Sequence, residues 1–475
     1  MNTWKWPLKG SKGKSAKAPQ PAVGLQEETK VPKDIGGYLE AAWSNGVDGT
    51  CCVVGWFAAG HHTGVKAWVQ AGSRKWPLTE AVRFTREDLV NSDHPALGRV
   101  GGIDAGFLLA PTPLETDTPL TLAYEYEGRT HTFNTVNVGR LPSEPLQAFR
   151  MMHGLYTPDD RKARRYTEVD GPVLEGLIRS ARLRQAQAPV ETHAVGPQLQ
   201  DPRCSVIVPL YRRFDFVEPQ LAKFRQDPWL RQHAELIYVV DDPALVPLMQ
   251  AEASILHTLY GVPFTWVWGG MNRGFSGANN LGARQARGQD LLFLNSDVFP
   301  TRPGWLQALT QVLEQHPDIG AVAPRLLHAD GSIQHDGMVF QHLETLDIWA
   351  NEHRFKGLDP AERPAQGLVQ VPAVTGACLL MRRADFDAVG GWDEGFLVGD
   401  FEDSDLCLKL AERGLLSACL RSQVLTHLER QSLSSLGDGG FRTSLVIFNA
   451  ARHQKRWASR LQSLSGQDLD ATCIA

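Results

Sequence analysis

Five short apolar runs in the middle of this chain limit its fold more than any other feature. They occupy residues 205–210, 236–240, 264–268, 291–294 and 319–323, and each is nearly continuous in apolar residues rather than alternating. Runs of strand length without alternation fit strands covered on both faces. Stretches between them, 278–287 and 305–315, have helical spacing and supply crossovers. The expectation is an α/β fold with a parallel, Rossmann-like sheet beginning at Cys204. In such sheets ligands bind beyond the carboxyl ends of the strands.

The rest of the chain divides around that sheet. At 475 residues it is too long for one core. Residues 1–35 read as a disordered basic tail, with Lys5, Lys9, Lys12, Lys14 and Lys17 ahead of any acidic residue. A solubilising tail is the simpler reading; peripheral contact of Trp4, Trp6 and the lysines with an anionic membrane is the sharper one. Residues 36–140 read as a smaller β-rich domain, with Leu120, Leu122, Tyr124 and Tyr126 alternating into a turn at Glu127-Gly128. Trp43, Trp56, Trp68 and Trp76 there could stack on sugars, but core packing is the simpler expectation. Residues 141–203 read as a helical connector closed by Pro189, Pro197 and Pro202. Residues 204–432 form the α/β domain, and 433–475 read as terminal helices with Leu445, Phe448 and Arg452 on one path.

Composition narrows the partners. A net charge of -5 gives no reason to expect nucleic acid. Seven cysteines, with no CxxC pair or zinc spacing, point to buried thiols in a reducing compartment. No apolar run is long enough to span a membrane and residues 1–30 lack a signal-peptide centre, so a cytoplasmic location is expected.

Polar residues cluster where the runs end. Pro209 should take the chain out of the sheet, leaving Leu210 and Tyr211 at its edge. Asp241 and Asp242 end the next run; one of them can bind a nucleoside and the other cap a helix. Asn272, Gly274, Phe275 and Asn279 lie in a glycine-bearing turn that is neither GxGxxG nor a phosphate loop, yet offers free amides to a nucleotide. Asn295-Ser296-Asp297 follows 291–294, and alternation points Asn295 and Asp297 the same way. One carboxylate with substrate phosphates suits a hard divalent cation, and His427 is a candidate second ligand. Glu402 and Asp403 begin a helix ending near Gly414, a position that suits a general base.

The stretches SVIVPLY, VVDD, NRGFSGANNLGARQARG, LNSDV, TGACLLMRR, GGWDEGF and EDSDLCLKLAERG together resemble the inverting family 2 glycosyltransferases of the GT-A fold, across residues 204–432. The variant is similar to bacterial rhamnosyl- and other polysaccharide transferases. The resemblance implies a nucleoside-diphosphate sugar donor of UDP, dTDP or GDP type, a glycan or lipid-linked acceptor, and Mn²⁺ or Mg²⁺. It implies Asp403 as catalytic base, and Asp297 with His427 as metal ligands. Pro209, Tyr211, Asp241, Asp242, Asn272, Gly274, Phe275, Asn279, Asn295 and Ser296 fall on the donor side. Thr375, Gly376, Trp392, Asp393, Glu394 and Glu402 fall on the acceptor side. The family's metal-binding DxD motif has asparagine, Asn295, at its first position here, which weakens charge neutralisation without abolishing it.

Two other functions compete. A non-catalytic scaffold that binds a nucleotide sugar or glycan would not need Asp297, Asp403 and His427 together. A sugar-phosphate nucleotidyltransferase would carry a glycine- and lysine-rich loop after the first strand, where Tyr211-Arg212-Arg213-Phe214 stands instead.

Overall fold

The structure is a computed structural model that describes residues 33–90, 96–97, 104–363, 367–428, 439–464 and 473–474. The basic stretch 1–32, and with it the membrane-contact reading, lies outside the described residues.

The apolar runs are strands. Cys204–Leu210 lies between Ala234–Val240 and Asp290–Leu294, parallel to both, and Phe264–Trp268 extends the parallel set. The first three are almost wholly buried and Phe264–Trp268 largely so, because helices Gly274–Gln285 and Trp305–Gln315 cover opposite faces. The fold is mixed α/β, but the sheet is not parallel throughout. Cys378–Arg382 runs antiparallel between Asp290–Leu294 and Ile319–Leu327, and Glu191–Val195 adds an antiparallel edge. A short return places Cys378 opposite Leu294, so Thr375–Ala377 arrives at the same sheet edge as the parallel strand ends. The sequence alone had no sign of this reversal, since Cys378–Arg382 is as continuously apolar as its neighbours.

Other expectations need correction. Pro209 does not end its strand: it pairs in the ladder opposite Val239, and the strand runs on to Leu210. The pairing with Asp290–Leu294 has already stopped at Ile207–Phe293, so the missing proline N–H leaves no bond unmade there. Met338–Leu343 and Ile348–His353 pair as an antiparallel hairpin outside the main sheet. Among the described residues the terminal segment holds one helix, Gly439–Leu464, and a short strand at Cys473–Ile474.

The N-terminal segment is β-rich, built from a five-stranded and a four-stranded sheet. Glu127 and Gly128, at φ 48° and 74°, make the hairpin turn between Pro119–Tyr126 and Arg129–Asn137. In strand Cys51–Ala58, Cys51 and Val53 face the second sheet, whereas Cys52 and Val54 face helices. Those helices include Gly171–Gln187 and Gly439–Leu464, and Phe396, Leu397 and Phe401 join the same apolar cluster. Trp68 is buried, and Trp43, Trp56 and Trp76 are half-buried against apolar clusters.

Candidate active site

Parallel strands end together, so Tyr211, Asp241, Asn272 and Asn295 come to one edge. Strand Leu416–His427 runs parallel to Ile319–Leu327 and brings His427 to that edge as well.

The two adjacent aspartates divide their work. Asp242 caps the turn Pro243–Leu245, accepting from the Ala244 amide at 2.9 Å and the Arg212 amide at 3.2 Å. Asp241 is buried and points the other way, accepting from the Arg273 amide at 2.7 Å and Asn272 Nδ2 at 3.0 Å. Burial pushes its carboxyl well above the usual range, against the Arg273 and Gly274 amides that hold it down. Gly274 takes φ 70°, which lets the chain turn from Asn272 into helix Gly274–Gln285. Inside that helix Asn279 is fully buried, its Nδ2 bonded to Phe275 O at 3.0 Å.

The Asn295–Asp297 turn is fixed from below. The Asn295 amide donates to Ala377 O at 2.9 Å, and Gln220 Nε2 donates to Asn295 O at 2.9 Å and Val298 O at 3.2 Å. Ser296 is half-buried beside it. Val298–Pro300 then pairs with the end of Leu416–His427, Val298 opposite His427. This pairing places Asp297 Oδ1 3.3 Å from His427 Nε2. Both side chains are buried, and His427 Nδ1 has no hydrogen-bond partner among the described residues. A carboxylate oxygen and an imidazole nitrogen side by side are a hard-to-borderline donor pair that fits one divalent cation. Among the described residues no group of three or more His, Cys, Asp or Glu side chains is arranged to hold a metal ion.

The other half of the edge is built around Asp403. It is half-buried in the first turn of helix Glu402–Glu412 and accepts from the Gly376 amide at 3.1 Å and the Ser404 amide at 2.8 Å. Burial pushes its carboxyl up to about 6, with the Gly376 and Ser404 amides opposing and Asp400 adding to the rise. Glu402 is also pushed well above the usual carboxylate range, by burial and then by Asp403 and Asp400, and its Oε2 has no partner among the described residues. The Thr375–Ala377 turn therefore touches both halves: Ala377 O holds Asn295 and the Gly376 amide holds Asp403. A Cβ on Gly376 would stand 3.0 Å from Trp392 Cη2 and 3.4 Å from Asp403 Cβ, a tight fit that requires the Trp392 ring to give by a few tenths of an ångström.

The remaining predicted acceptor-side residues differ in availability. Trp392 is buried, edge-on to Phe275 and Phe293 at 5.5 and 5.0 Å between ring centres. Glu394 is half-buried and accepts from Asn280 Nδ2 at 2.7 Å. Thr375 is buried, and its amide donates to His335 Nε2 at 3.4 Å. Asp393 is fully engaged: Arg182 at 2.6 Å, Arg452 at 3.1 Å, Arg456 at 3.3 Å and the Gly395 amide at 2.8 Å. Burial would raise its carboxyl, but Arg452, the Gly395 amide and the other two arginines hold it well below the usual range.

Sequence reasoning missed Gln220, Asn280 and His335. Asn280 lies within a motif already singled out. Gln220 and His335 carry no sequence signal, being polar residues on covered faces whose partners at this edge, Asn295 and Thr375, are 75 and 40 residues away.

A sequence model described as "Glycosyl transferase family 2" matches residues 205–390. The O-antigen biosynthesis protein RfbC of Myxococcus xanthus is 30% identical over 265 residues, 52% of this chain and 19% of that protein. The N-acetylglucosaminyl-diphospho-decaprenol L-rhamnosyltransferase of Mycobacterium tuberculosis H37Rv is 30% identical over 177 residues, 34% of this chain and 55% of that protein. The chain thus spans about a fifth of the first relative and just over half of the second. Among solved structures, GalNAc-T7 with UDP, GalNAc and Mn²⁺ aligns with 55% of this chain and 49% of its own, at 14% identity and a TM-score of 0.41. The mannosyltransferase PcManGT from Pyrobaculum calidifontis, in complex with GDP-Man and Mn²⁺, aligns over 70% and 87% at 17% identity and a TM-score of 0.35.

Proposed function

Since residues 205–390 form a glycosyl transferase family 2 domain, we propose that this protein moves a sugar from a nucleoside-diphosphate sugar to an acceptor hydroxyl in polysaccharide synthesis, with inversion and with a divalent metal. The observation that carries the reading is the shared turn at Thr375–Ala377. It sets a raised-pKa carboxylate, Asp403, on the same edge as the Asp297–His427 pair.

In this mechanism Asp241, with Asn272 and the Arg273 amide, receives the nucleoside. Pro209, Tyr211, Gly274, Phe275, Asn279 and Ser296 form the rest of the donor side. Asp297 and His427 would hold the metal, and Asn295 orients the turn. When bound, a divalent ion supplies the positive charge that stabilises a leaving diphosphate. Asp403 accepts the proton from the acceptor hydroxyl. The hydroxyl oxygen then bonds to the anomeric carbon from the face opposite the diphosphate, whose bond breaks with its electrons going to the phosphate oxygen. Thr375, Gly376, Trp392, Glu394 and Glu402 shape the acceptor side. The rhamnosyltransferase relative supports a lipid-linked diphospho-sugar as the acceptor class to try first.

Calorimetry with UDP, GDP and dTDP, each with Mn²⁺ and with EDTA, tests the donor half. Metal-dependent binding of one nucleotide to the wild type, lost in Asp297→Ala, is the expected result. Absence of binding by all three would contradict the proposal and favour a glycan-binding scaffold.

A further inference from the structure

The segment from Asp393 to Asp405 is held from behind by one stripe of the terminal helix Gly439–Leu464. Asn449 Nδ2 donates to Leu397 O at 3.0 Å and Gly399 O at 2.7 Å, and its Oδ1 accepts from the Leu397 amide at 3.0 Å. One turn on, Arg452 reaches Asp393 and His453 Nε2 lies 3.1 Å from Ser404 Oγ. A turn further, Arg456 Nη1 reaches Asp405 Oδ1 at 2.6 Å and Trp457 Nε1 the same oxygen at 2.9 Å. Positions 449, 452, 453, 456 and 457 share one helical face. A buried helical face is ordinarily apolar, yet here Asn449 and His453 are buried among Ile447, Phe448, Ala450 and Ala451. A second helix closes the clamp, with Arg182 on Asp393 at 2.6 Å and Glu175 on Arg452 at 2.7 Å.

The held segment cannot keep its path unaided. Val398, Asp400 and Phe401 take φ of 68°, 80° and 74°, left-handed conformations that cost about 1–3 kcal/mol each for non-glycine residues. Asn449 brackets the β-branched one, bonding to the residues on either side of it. Immediately after this run come Glu402 and Asp403. The family match stops at residue 390, so neither the strained loop nor the stripe lies within it.

We propose that Asn449 and Arg452 are positioning residues for the transfer reaction: the terminal helix latches the 393–401 loop and so sets Asp403 against the Gly376 amide at reaction distance from the acceptor. The proposal rests on Asp403 being the base. A displacement of about 1 Å in a reacting group costs up to about a hundredfold in rate. Loosening the loop therefore lowers turnover while leaving the donor side, built on other strands, as it was. It also lets water reach Asp403, whose acidic neighbours include Asp400 and Glu402.

The test is full-length Asn449→Ala and Arg452→Gln beside Asp403→Asn, with kcat, donor KM, the acid limb of the pH profile and Tm measured for each. The expected result is a fall in kcat of about tenfold to a hundredfold at unchanged donor KM, with the acid limb moving down toward the ordinary carboxylate value. An unmoved acid limb with wild-type kcat per folded molecule would overturn the latch. So would a matching loss of donor affinity, which marks general destabilisation. If Asn449→Ala does not fold, Arg452→Gln gives the same readout at a less buried site. Should Asp403→Asn itself keep wild-type kcat, the assignment of the base has failed; should it lose activity while both latch variants keep theirs, the latch alone has failed.

Discussion

The donor side of the edge and the side that carries Asp403 are built by different means. On the side proposed for the donor, strands in a parallel ladder deliver Asp241, Asn295 and Asp297 directly, and main-chain amides and carbonyls hold their turns together with the nearby Asn272 and Gln220 side chains. On the Asp403 side, no strand delivers the carboxylate. It follows a left-handed loop held by side chains from helices roughly 50 and 200 residues distant in sequence, as Asn449 is from Leu397 and Arg182 from Asp393. Backbone-built sites tolerate change at a distance. Side-chain-built sites pass it on. The difference predicts that substitutions far from the edge affect turnover more than donor binding.

Substitutions on the two sides should separate accordingly. Asp403→Asn should lower kcat by about 10²–10⁴-fold with donor affinity retained, checked by initial rates beside calorimetry. Survival of kcat within about tenfold, only ~1.4 kcal/mol, would break the comparison at its strongest point. Asp297→Ala should weaken metal-dependent nucleotide binding by about a hundredfold and leave metal-free binding alone, since the charge it places beside the diphosphate is gone. Gly376→Ala falls between the sides, because its Cβ would press on Trp392 and Asp403. A loss of about 1–3 kcal/mol in stability and about tenfold in kcat is expected, read by denaturant melts and rates. Asp242→Ala should have the smallest effect. It removes the cap on Ala244 and the bond to Arg212, costing about 1 kcal/mol of stability with nucleotide affinity unchanged.

What could be read from the sequence follows the same division. Cys204–Leu210, Ala234–Val240, Phe264–Trp268 and Asp290–Leu294 were legible because strands buried on both faces must be continuously apolar, and the polar residues that follow them mark the edge. Asp297 and His427 were legible as a pair only through the chemistry of metal ligands; their adjacency comes from the Val298–His427 pairing, which no pattern announces. The antiparallel Cys378–Arg382 was hidden because its composition is that of a parallel strand. The latch was the least legible. Arg452 shares a helical path with Leu445 and Phe448, but nothing local says that its face meets Asp393 and not water.

The pH dependence of kcat/KM for the donor, in wild type and in Asp403→Asn, bears most directly on the assignment of the base. Below its pKa Asp403 is protonated and cannot accept a proton, so activity should rise with pH along an acid limb near 6 and then level off. That limb should vanish in the variant along with the rate. A wild-type profile that is flat across the acid range, or a limb that persists unchanged in Asp403→Asn, would contradict it.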